Sequence, residues 1–406
     1  MNRFIGIIGL IVLLAVCYLI SNNKKKINWR LVATGITLQF IFALLILKFP
    51  PGRAAFEVVS GLITKLLDFT KEGTTFLFGG LMDTNKVGYV FALQVLPTII
   101  FFSALMSVLY YLGIMQKLIS VLAKGIVKLL GTSGAETLSA VANIFVGQTE
   151  APLVIKPFVK TMTKSELLSI MVGGMCTVAG GVMAGYVAMG VSAGHLMAAS
   201  MMAAPAGLVV SKIICPEVEE PVTKGKIQIE LENTSSNVID AAATGASEGL
   251  SLALNVAAML LAFVALIALV NSAISWVAAM LGAPYINLGW LLGRLFAPLA
   301  FLMGVPSQDI LNAGNLIGTK LVLNEFVAYA NLAPLIKAGA LQPKTIMILT
   351  YALCGFANIS SIAVQIGGIG GLAPERRSDI AKLGIRALIG GCVTTFMTAT
   401  IAGLLF

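Results

Sequence analysis

Two stretches of the sequence decide its fold, namely Asn143-Ile-Phe-Val-Gly-Gln-Thr-Glu-Ala-Pro152 and Leu323-Asn-Glu-Phe-Val-Ala-Tyr329. Each is a short polar break in a long apolar region, and each contains one glutamate, Glu150 or Glu325. A carboxylate at the depth of a bilayer costs several kcal/mol, so it normally faces a cavity or the bundle interior and marks a solute or ion path. Two of them at matching points of two similar half-sequences are typical of a transporter built from repeats.

The composition is that of a polytopic membrane protein. Of the 406 residues, 58% are hydrophobic and only 11% are charged, whereas soluble globular proteins contain about 25% charged residues. The net charge of +9 would suggest a nucleic-acid partner in a soluble protein. Here the basic residues collect in short segments between apolar runs, which indicates membrane topology instead. We therefore expect an all-α membrane protein with no nucleic-acid partner.

Stretches of roughly 17–25 apolar residues can cross a bilayer as helices. The sequence predicts eight such spans, at 4–20, 31–49, 90–112, 167–190, 195–213, 250–277, 346–367 and 385–405. The loops that hold most basic residues then fall on one side, which the positive-inside rule makes cytoplasmic; they are 21–30, 113–135, 156–166 and 374–386. This count predicts a multi-pass protein of the cell (inner or plasma) membrane with both termini outside the cytoplasm.

Two segments, 135–160 and 306–340, are apolar but too polar at their centres to cross the membrane. Non-helical backbone at this depth is tolerated only where it lines a cavity or is covered by protein. We therefore predict that each forms a re-entrant hairpin of two half-helices. The tips are expected near Gly147 to Thr149 and near Leu321 to Asn324.

Each predicted hairpin is followed by a span that small and polar residues break, around Cys176 and around Cys354. One extra crossing separates the two units, which predicts that the second is inverted, with the binding site at the midplane where the broken elements meet. The predicted domains are scaffold spans with an outer interfacial helix at 54–72 (1–112), the first repeat (113–215), a cytoplasmic connector at 216–249 with a scaffold span (216–284), and the second repeat (285–406).

The polar tips and breaks supply the candidate binding residues. Gln148, Thr149 and Glu150 offer an amide, a hydroxyl and a carboxylate beside the free N–H groups of a starting half-helix. The second half repeats this chemistry, which suits a diol such as a ribose, with Asn324, Glu325, Asn358 and Ser361. Val182 and Phe356 are candidate apolar walls for a flat ring. The alternatives are structural: Glu150 could tie the repeats together, the second set could be interhelical polar glue, and the walls could be plain packing.

Four neutral oxygens near the first break form a candidate cation site. They are the side chains of Asn143 and Thr177 and the backbone carbonyls of Val146 and Val178. Hard-cation sites in transporters are built from such unwound backbone.

Enzyme and zinc-site motifs carry little weight here. The five cysteines form no CxxC pair, so neither a disulfide framework nor a zinc site is indicated. Gly190-Val-Ser-Ala-Gly194, followed by His195, matches the nucleophile-elbow pattern but lacks a strand–turn–helix context. We expect no enzymatic activity; a passive channel or facilitator, which would need a continuous polar pore, stays an alternative.

Three strings of the sequence resemble those of bacterial concentrative nucleoside transporters: Gly147-Gln-Thr-Glu-Ala-Pro152, Asn324-Glu-Phe-Val-Ala-Tyr329 and Cys354-Gly-Phe-Ala-Asn-Ile-Ser-Ser361. The similarity covers nearly the whole chain and includes Glu72-Gly-Thr-Thr-Phe-Leu-Phe-Gly-Gly80. The resemblance implies a homotrimer in membrane lipid whose protomers each import a nucleoside together with a cation. Pyrimidine nucleosides such as uridine are the expected cargo.

The resemblance also implies residue roles. The base would be read by Gln148, Thr149 and Glu150, and the ribose would be held by Glu325, Asn358 and Ser361. The sodium ligands would be Asn143, Val146, Thr177 and Val178. Members coupled to protons tend to lose the asparagine before the hairpin tip, which this chain keeps as Asn143, so Na⁺ is the expected coupling ion and proton coupling is the alternative. Thr177 stands where close relatives often have serine, and it preserves the hydroxyl.

Overall fold

The computed structural model describes residues 2–88, 90–225, 235–283 and 285–406. This part of the chain consists of α-helices joined by short turns and 3-10 segments, without a β-strand. The all-α prediction is confirmed.

The helices of the first half are α1 (Asn2–Leu19), α2 (Trp29–Leu47), α3 (Pro50–Asp68), α4 (Thr70–Phe78), α5 (Thr84–Val87), α6 (Phe91–Gln94), α7 (Leu96–Tyr111), α8 (Ile114–Leu130), α9 (Gly134–Ala142), α10 (Lys156–Val159), α11 (Lys164–Met175), α12 (Gly180–Ala188) and α13 (Ala193–Ile214). Those of the second half are α14 (Val238–Met280), α15 (Leu288–Leu302), α16 (Ile310–Val322), α17 (Glu325–Lys337), α18 (Pro343–Leu353), α19 (Ile359–Leu372) and α20 (Arg377–Leu405).

Six segments of the described chain are long and apolar enough to cross a membrane: Trp29–Leu47, Phe91–Tyr111, Lys164–Ala188, Ala193–Ile214, Val238–Met280 and Pro374–Leu405. The remaining predicted spans, 4–20 and 346–367, coincide with shorter helices, α1 and the pair α18 and α19. The count of eight crossings therefore stays a prediction.

The predicted loop at 113–135 is wrong, because α8 occupies most of it. Met115, Ile119 and Ile126 form part of its buried face, while its three lysines lie on the exposed face. This helical spacing of apolar residues identifies an amphipathic helix. The prediction of a loop was based on the number of lysines in the segment.

Three other boundaries differ from the predictions. The connector 216–249 ends earlier than expected, because α14 already begins at Val238; its predicted polar residues Lys226, Glu230 and Glu232 lie outside the described residues. The predicted loop 374–386 is mostly the first turns of α20. Helix α15 lies in a stretch to which the sequence analysis assigned no element. A helix does form at 54–72, as α3 followed directly by α4, and its position in the membrane interface stays a prediction.

Both predicted hairpin segments contain a break at the expected place. In the second, α16 and α17 pack against each other across Leu323 and Asn324. In the first, α9 ends at Ala142 and the returning arm is a 3-10 segment, Ala151–Ile155, followed by the single turn α10. The expected half-helix is therefore wrong for that arm, since Pro157 lacks the N–H that a continuous α-helix would bond to the Leu153 carbonyl.

The two broken helices meet at their breaks. The break between α11 and α12 touches the one between α18 and α19, where the Phe356 N–H donates to the Thr177 carbonyl at 3.3 Å. Gly355 allows this approach: its φ is +144°, and a Cβ there would lie 2.9 Å from the Met175 carbonyl oxygen. Only glycine tolerates both the dihedral and the contact. Helices α13 and α20 pack around the crossing.

Candidate functional site

A cavity of ≈ 200 Å³ lies where the hairpin tips meet the two broken helices, and helix α14 covers one side of it. All eight predicted substrate-binding residues line it: Gln148, Thr149, Glu150, Val182, Glu325, Phe356, Asn358 and Ser361. The chain therefore brings residues that are more than 200 positions apart in sequence to one concave surface. Apolar residues of α14 complete the wall: Leu252, Val256, Met259 and Leu260.

Gln148 is held in a fixed orientation by two residues of α19. Its Nε2 donates to the Ser361 Oγ at 3.3 Å, and its Oε1 accepts from the Gln365 Nε2 at 3.1 Å. Gln365 is fully buried, and the same nitrogen also donates to the Met171 carbonyl at 2.8 Å. The amide of Gln148 thus has defined donor and acceptor directions before any ligand arrives. The sequence analysis missed Gln365.

Glu150 differs from its neighbour because its carboxylate forms no hydrogen bond within the described part of the chain. The residue is exposed at the mouth of the tip. The carboxylate lies over Gly147, where a Cβ would come within 2.2 Å of the Glu150 Oε2. A glycine at the tip therefore leaves space that the Glu150 carboxylate occupies.

Glu325 is only 4% exposed and is fully engaged within the protein. Its Oε2 accepts from the Asn358 Nδ2 at 2.9 Å, and its Oε1 accepts from the Tyr186 hydroxyl at 3.3 Å. It is the first residue of α17, and Asn324 caps that helix by accepting from the Val327 N–H at 2.9 Å. A carboxylate in the first turn also interacts favourably with the helix dipole.

Asn358 links the two halves of the site. Its Oδ1 caps α19 by accepting from the Ser361 N–H at 2.9 Å, and it also accepts from the Ser360 hydroxyl at 2.7 Å. Its amide nitrogen is thereby directed to Glu325, while the Ser361 hydroxyl reaches Gln148. Gln148 on the base side is thereby connected to the ribose-side candidates in one polar network across the cavity.

Aromatic rings support the second tip. Tyr186 packs against Phe326 with ring centroids 4.9 Å apart and against Tyr329 at 4.3 Å. Tyr329 is fixed in turn, because its hydroxyl donates to the Thr350 carbonyl at 2.7 Å. Tyr186 carries no signal in the sequence, since its role depends on α12 meeting α17.

The candidate cation site has the free oxygens that a cation needs. Asn143 is fully buried; its Nδ2 donates to the Ser139 carbonyl at 2.9 Å, but its Oδ1 has no partner. A buried polar atom without a partner costs about 1–3 kcal/mol, so it calls for an explanation. The Thr177 hydroxyl donates to the Gly173 carbonyl at 2.8 Å, which leaves its lone pairs available.

Asn143 and Thr177 belong to one neighbourhood, because the Asn143 Nδ2 lies 3.6 Å from where a Cβ of Gly173 would be. The carbonyls of Val146 and Val178 accept no hydrogen bond from any described residue. The two segments are also tied directly, since the Gly180 N–H donates to the Phe145 carbonyl at 3.0 Å. These neutral oxygens fit a hard monovalent cation better than a soft metal, and among the described residues no group of three His, Cys, Asp or Glu forms another metal site.

Three family models match the chain in succession: Na⁺ dependent nucleoside transporter N-terminus over residues 8–81, Nucleoside recognition over residues 92–193, and Na⁺ dependent nucleoside transporter C-terminus over residues 195–403. The chain belongs to the concentrative nucleoside transporter family. The matching models describe sodium-dependent nucleoside transporters, so this is a family of transporters and not of enzymes. The expected family, its dependence on Na⁺ and the expectation of nucleoside transport are confirmed.

Individual transporters are similar to this chain over its whole length. The nucleoside permease NupC of Helicobacter pylori is 45% identical over 99% of this chain and 98% of its own length. An uncharacterized transporter of Haemophilus influenzae is 50% identical over 100% of this chain and 98% of its own. The transporter CNTnw in an inward-facing substrate-bound state matches with a TM-score of 0.94 at 47% identity, over 100% of this chain and 98% of that one. A variant of CNTnw in an outward-facing state gives 0.96 at 47% identity, with the same coverage.

Proposed function

We propose that this protein is a sodium-coupled symporter that imports pyrimidine nucleosides such as uridine by alternating access. The observation that carries the proposal is the polar network around the cavity, which joins the fixed Gln148 amide on one side to the Glu325 carboxylate on the other, with the free Glu150 carboxylate beside it. It has donors and acceptors for a neutral solute rich in hydrogen-bonding groups.

The first tip suits a nucleobase. The Gln148 amide is oriented by Gln365, and the free Glu150 carboxylate can accept a ring N–H. Val182 and Phe356 supply apolar surface for a flat ring. The cavity has a volume of ≈ 200 Å³ and is open on one side, and we propose a one-ring base as its occupant.

The second tip suits a ribose. Glu325 can accept a sugar hydroxyl in addition to its bonds from Asn358 and Tyr186, because a carboxylate offers about four lone-pair sites. The Ser361 hydroxyl can both donate and accept. A sugar diol would thus find a charged acceptor that the protein already holds in place.

Sodium coupling is favoured by the four neutral oxygens at Asn143, Val146, Thr177 and Val178. A cation among them would hold the first hairpin to the broken helix, next to Gln148, and would thereby strengthen nucleoside binding. Proton coupling, the alternative, needs a titrating group at the site, and the cavity offers only Glu150 and Glu325.

The transport cycle is proposed to move the two repeats, 113–215 and 285–406, against the scaffold formed by 1–112 and 216–284. CNTnw has been seen in an inward-facing state, and its variants in outward-facing and intermediate states. These states support alternating access as the proposal for this chain. We further propose a homotrimer in the inner membrane with both termini outside the cytoplasm. The exposed apolar surface of α14 supports contacts with lipid or with a second copy, and it includes Leu261, Leu269 and Trp276.

Uptake of labelled uridine into proteoliposomes tests the proposal. An inward sodium gradient at fixed pH should concentrate uridine above the external level, and the same vesicles without sodium should not. Counterflow without concentration would identify a passive facilitator. Uptake that follows a pH gradient and ignores sodium would leave nucleoside transport standing and reject the ion assignment.

A further inference from the structure

Lys320, in α16, is a fully buried lysine that the sequence analysis did not single out. Its Nζ donates to the Ala352 carbonyl at 2.8 Å and to the Thr395 hydroxyl at 3.1 Å. No carboxylate oxygen of the described residues lies within 4.0 Å of it. A buried ammonium without a directly paired anion is costly, and a charged residue at membrane depth points to a functional role.

The ammonium lies behind the crossing of the two broken helices. Ala352 belongs to the last turn of α18, where carbonyls lack helical partners and the dipole favours a cation. Thr395 of α20 faces the crossing, since its methyl group would lie 2.9 Å from a Cβ on Gly355. The Phe396 ring is also near, with its centroid 5.6 Å from the Nζ. One side chain therefore connects the hairpin helix α16 to both α18 and α20.

Glu325 follows Lys320 by five residues across the tip of the same hairpin, and both residues are buried, so their opposite charges attract each other. The attraction acts through a buried region, where it is screened much less than in water. The Glu325 carboxylate already accepts two hydrogen bonds, but both come from neutral donors. Lys320 is thus the fully buried positive charge of the hairpin that carries the ribose-side carboxylate.

The first unit of hairpin and broken helix has no lysine at the corresponding place. Counted from the helix ends, Lys320 lies three residues before the C-cap Leu323 of α16, and Ala140 lies three before the C-cap Asn143 of α9. Ala140 packs on Gly173 of α11, with its Cα 3.6 Å from where a glycine Cβ would be. The proposed sodium ligands lie beside this pair of small residues. In the second unit a lysine reaches between the hairpin helix and the broken helix.

We propose that Lys320 is a positioning residue for nucleoside binding, whose ammonium is the built-in cation of the second unit, as sodium is the exchangeable cation of the first. It holds α16 to the end of α18 and stabilises the Glu325 carboxylate in the charged form that accepts a sugar hydroxyl. This inference rests on the proposed function, because it assumes that Glu325 faces the nucleoside.

Lys320→Met tests the inference, since methionine has similar length without charge or donor. Uridine affinity, measured by calorimetry on purified protein at saturating sodium, is expected to fall about tenfold or more. In the Glu325→Gln background the same substitution should change affinity less than threefold, because the charge that it supports is gone. A merely structural role for Lys320 would give equal losses in both backgrounds.

Lys212→Met is the matched control. Lys212 is the other well-buried lysine of the described chain. Unlike Lys320 it forms ion pairs, with Glu136 at 2.8 Å and Glu217 at 3.2 Å, and it does not line the cavity. Its loss should lower the melting temperature and leave uridine affinity within twofold of the wild type. The control separates the general cost of losing a buried lysine from the effect on binding.

Thr395→Val covers the case in which Lys320→Met does not fold, because it removes only the hydroxyl acceptor. Uridine affinity should then fall about three- to fivefold. Unchanged affinity in a folded Lys320→Met or, failing that, in Thr395→Val overturns the inference, as do equal losses with and without Glu325→Gln. Wild-type protein that binds neither uridine nor sodium would reject the proposed function instead, and this result is obtained before any variant is made.

Discussion

The two hairpin tips use the same residue type in opposite ways. Glu325 is buried and accepts hydrogen bonds from Asn358 and Tyr186, with a lysine behind it. Glu150 is exposed, and no described residue donates to its carboxylate. The second break spans two residues between regular helices, whereas the first is a longer unwound segment that continues into a 3-10 turn.

The difference indicates that the two hairpin tips have different roles in ligand binding. A carboxylate that the protein already holds loses little conformational freedom when a ligand binds, so it contributes more to affinity. A free carboxylate can adjust to ligands of different shape, but it must be ordered on binding. We therefore expect the ribose side to set the affinity of the site and the base side to adapt to the nucleobase.

Glu325→Gln should give the largest effect in this comparison. The substitution keeps the size of the side chain but makes its bond to a sugar hydroxyl neutral. Hydrogen bonds to charged groups are worth roughly 1.5–3 kcal/mol, so uridine binding should weaken about tenfold or more. Calorimetry on purified protein at saturating sodium measures it.

Deoxyuridine provides the control for that role. A nucleoside that lacks the partner hydroxyl should lose less affinity than uridine when Glu325 is changed. Equal losses for the two sugars would remove Glu325 from the ribose role and leave it as an internal support of the tip.

Glu150→Gln should have a smaller effect, about three- to tenfold in uridine affinity. Water competes for the exposed carboxylate, so the net worth of its bond to a ring N–H is reduced towards that of an ordinary hydrogen bond, about 0.5–1.5 kcal/mol. Binding of uridine and cytidine is compared in the same experiment, and the ratio of the two affinities should change. A loss as large as that of Glu325→Gln, with an unchanged ratio, would contradict the division between the tips.

Tyr186→Phe should give the smallest effect. It removes a long hydrogen bond to Glu325, 3.3 Å, but keeps the ring that packs on Phe326. Uridine affinity should fall about threefold or less, and the melting temperature should barely change. A tenfold loss would show that the hydroxyl contacts the ligand itself, which would place Tyr186 among the binding residues.

The sequence predicts the residues that line the cavity better than the residues that hold them in place. Glu150 and Glu325 stand out because a charge in apolar sequence needs a reason, and all eight predicted residues line one cavity. Lys320 is also a charged residue in apolar sequence, but it was not among the predicted site residues. Glu325, five residues later, is sufficient to predict the break in the hairpin. Gln365 and Tyr186 carry no local signal; their partners are fixed only when distant helices cross.

The secondary structure shows the same pattern. Long apolar helices and both breaks lie where the sequence predicts them, because period and length are local properties. The three lysines of α8 favour a loop, whereas its buried residues recur at helical spacing and identify a helix. The returning arm of the first hairpin is a 3-10 turn and not a continuous α-helix, because Pro157 lacks the N–H that would bond to the Leu153 carbonyl. For α8, the spacing of apolar residues predicts the structure better than the number of lysines does.

The proposed sodium site belongs to the first unit only, and a substitution of Asn143 tests this assignment. Asn143→Ser shortens the side chain that carries the unpartnered oxygen. Half-saturation of uridine uptake by sodium should move to about tenfold higher concentration, while uridine affinity at saturating sodium should change less than threefold. The reverse pattern would place Asn143 with the nucleoside rather than with the ion.

The most direct test of the account is the thermodynamic coupling between sodium and uridine in the wild-type protein. Calorimetry should find that saturating sodium raises uridine affinity about tenfold or more at fixed pH, and that saturating uridine raises sodium affinity by the same factor, because linkage between two sites is reciprocal. Uridine affinity that is independent of sodium but varies with pH would contradict the account and point to a titrating carboxylate as the coupling group.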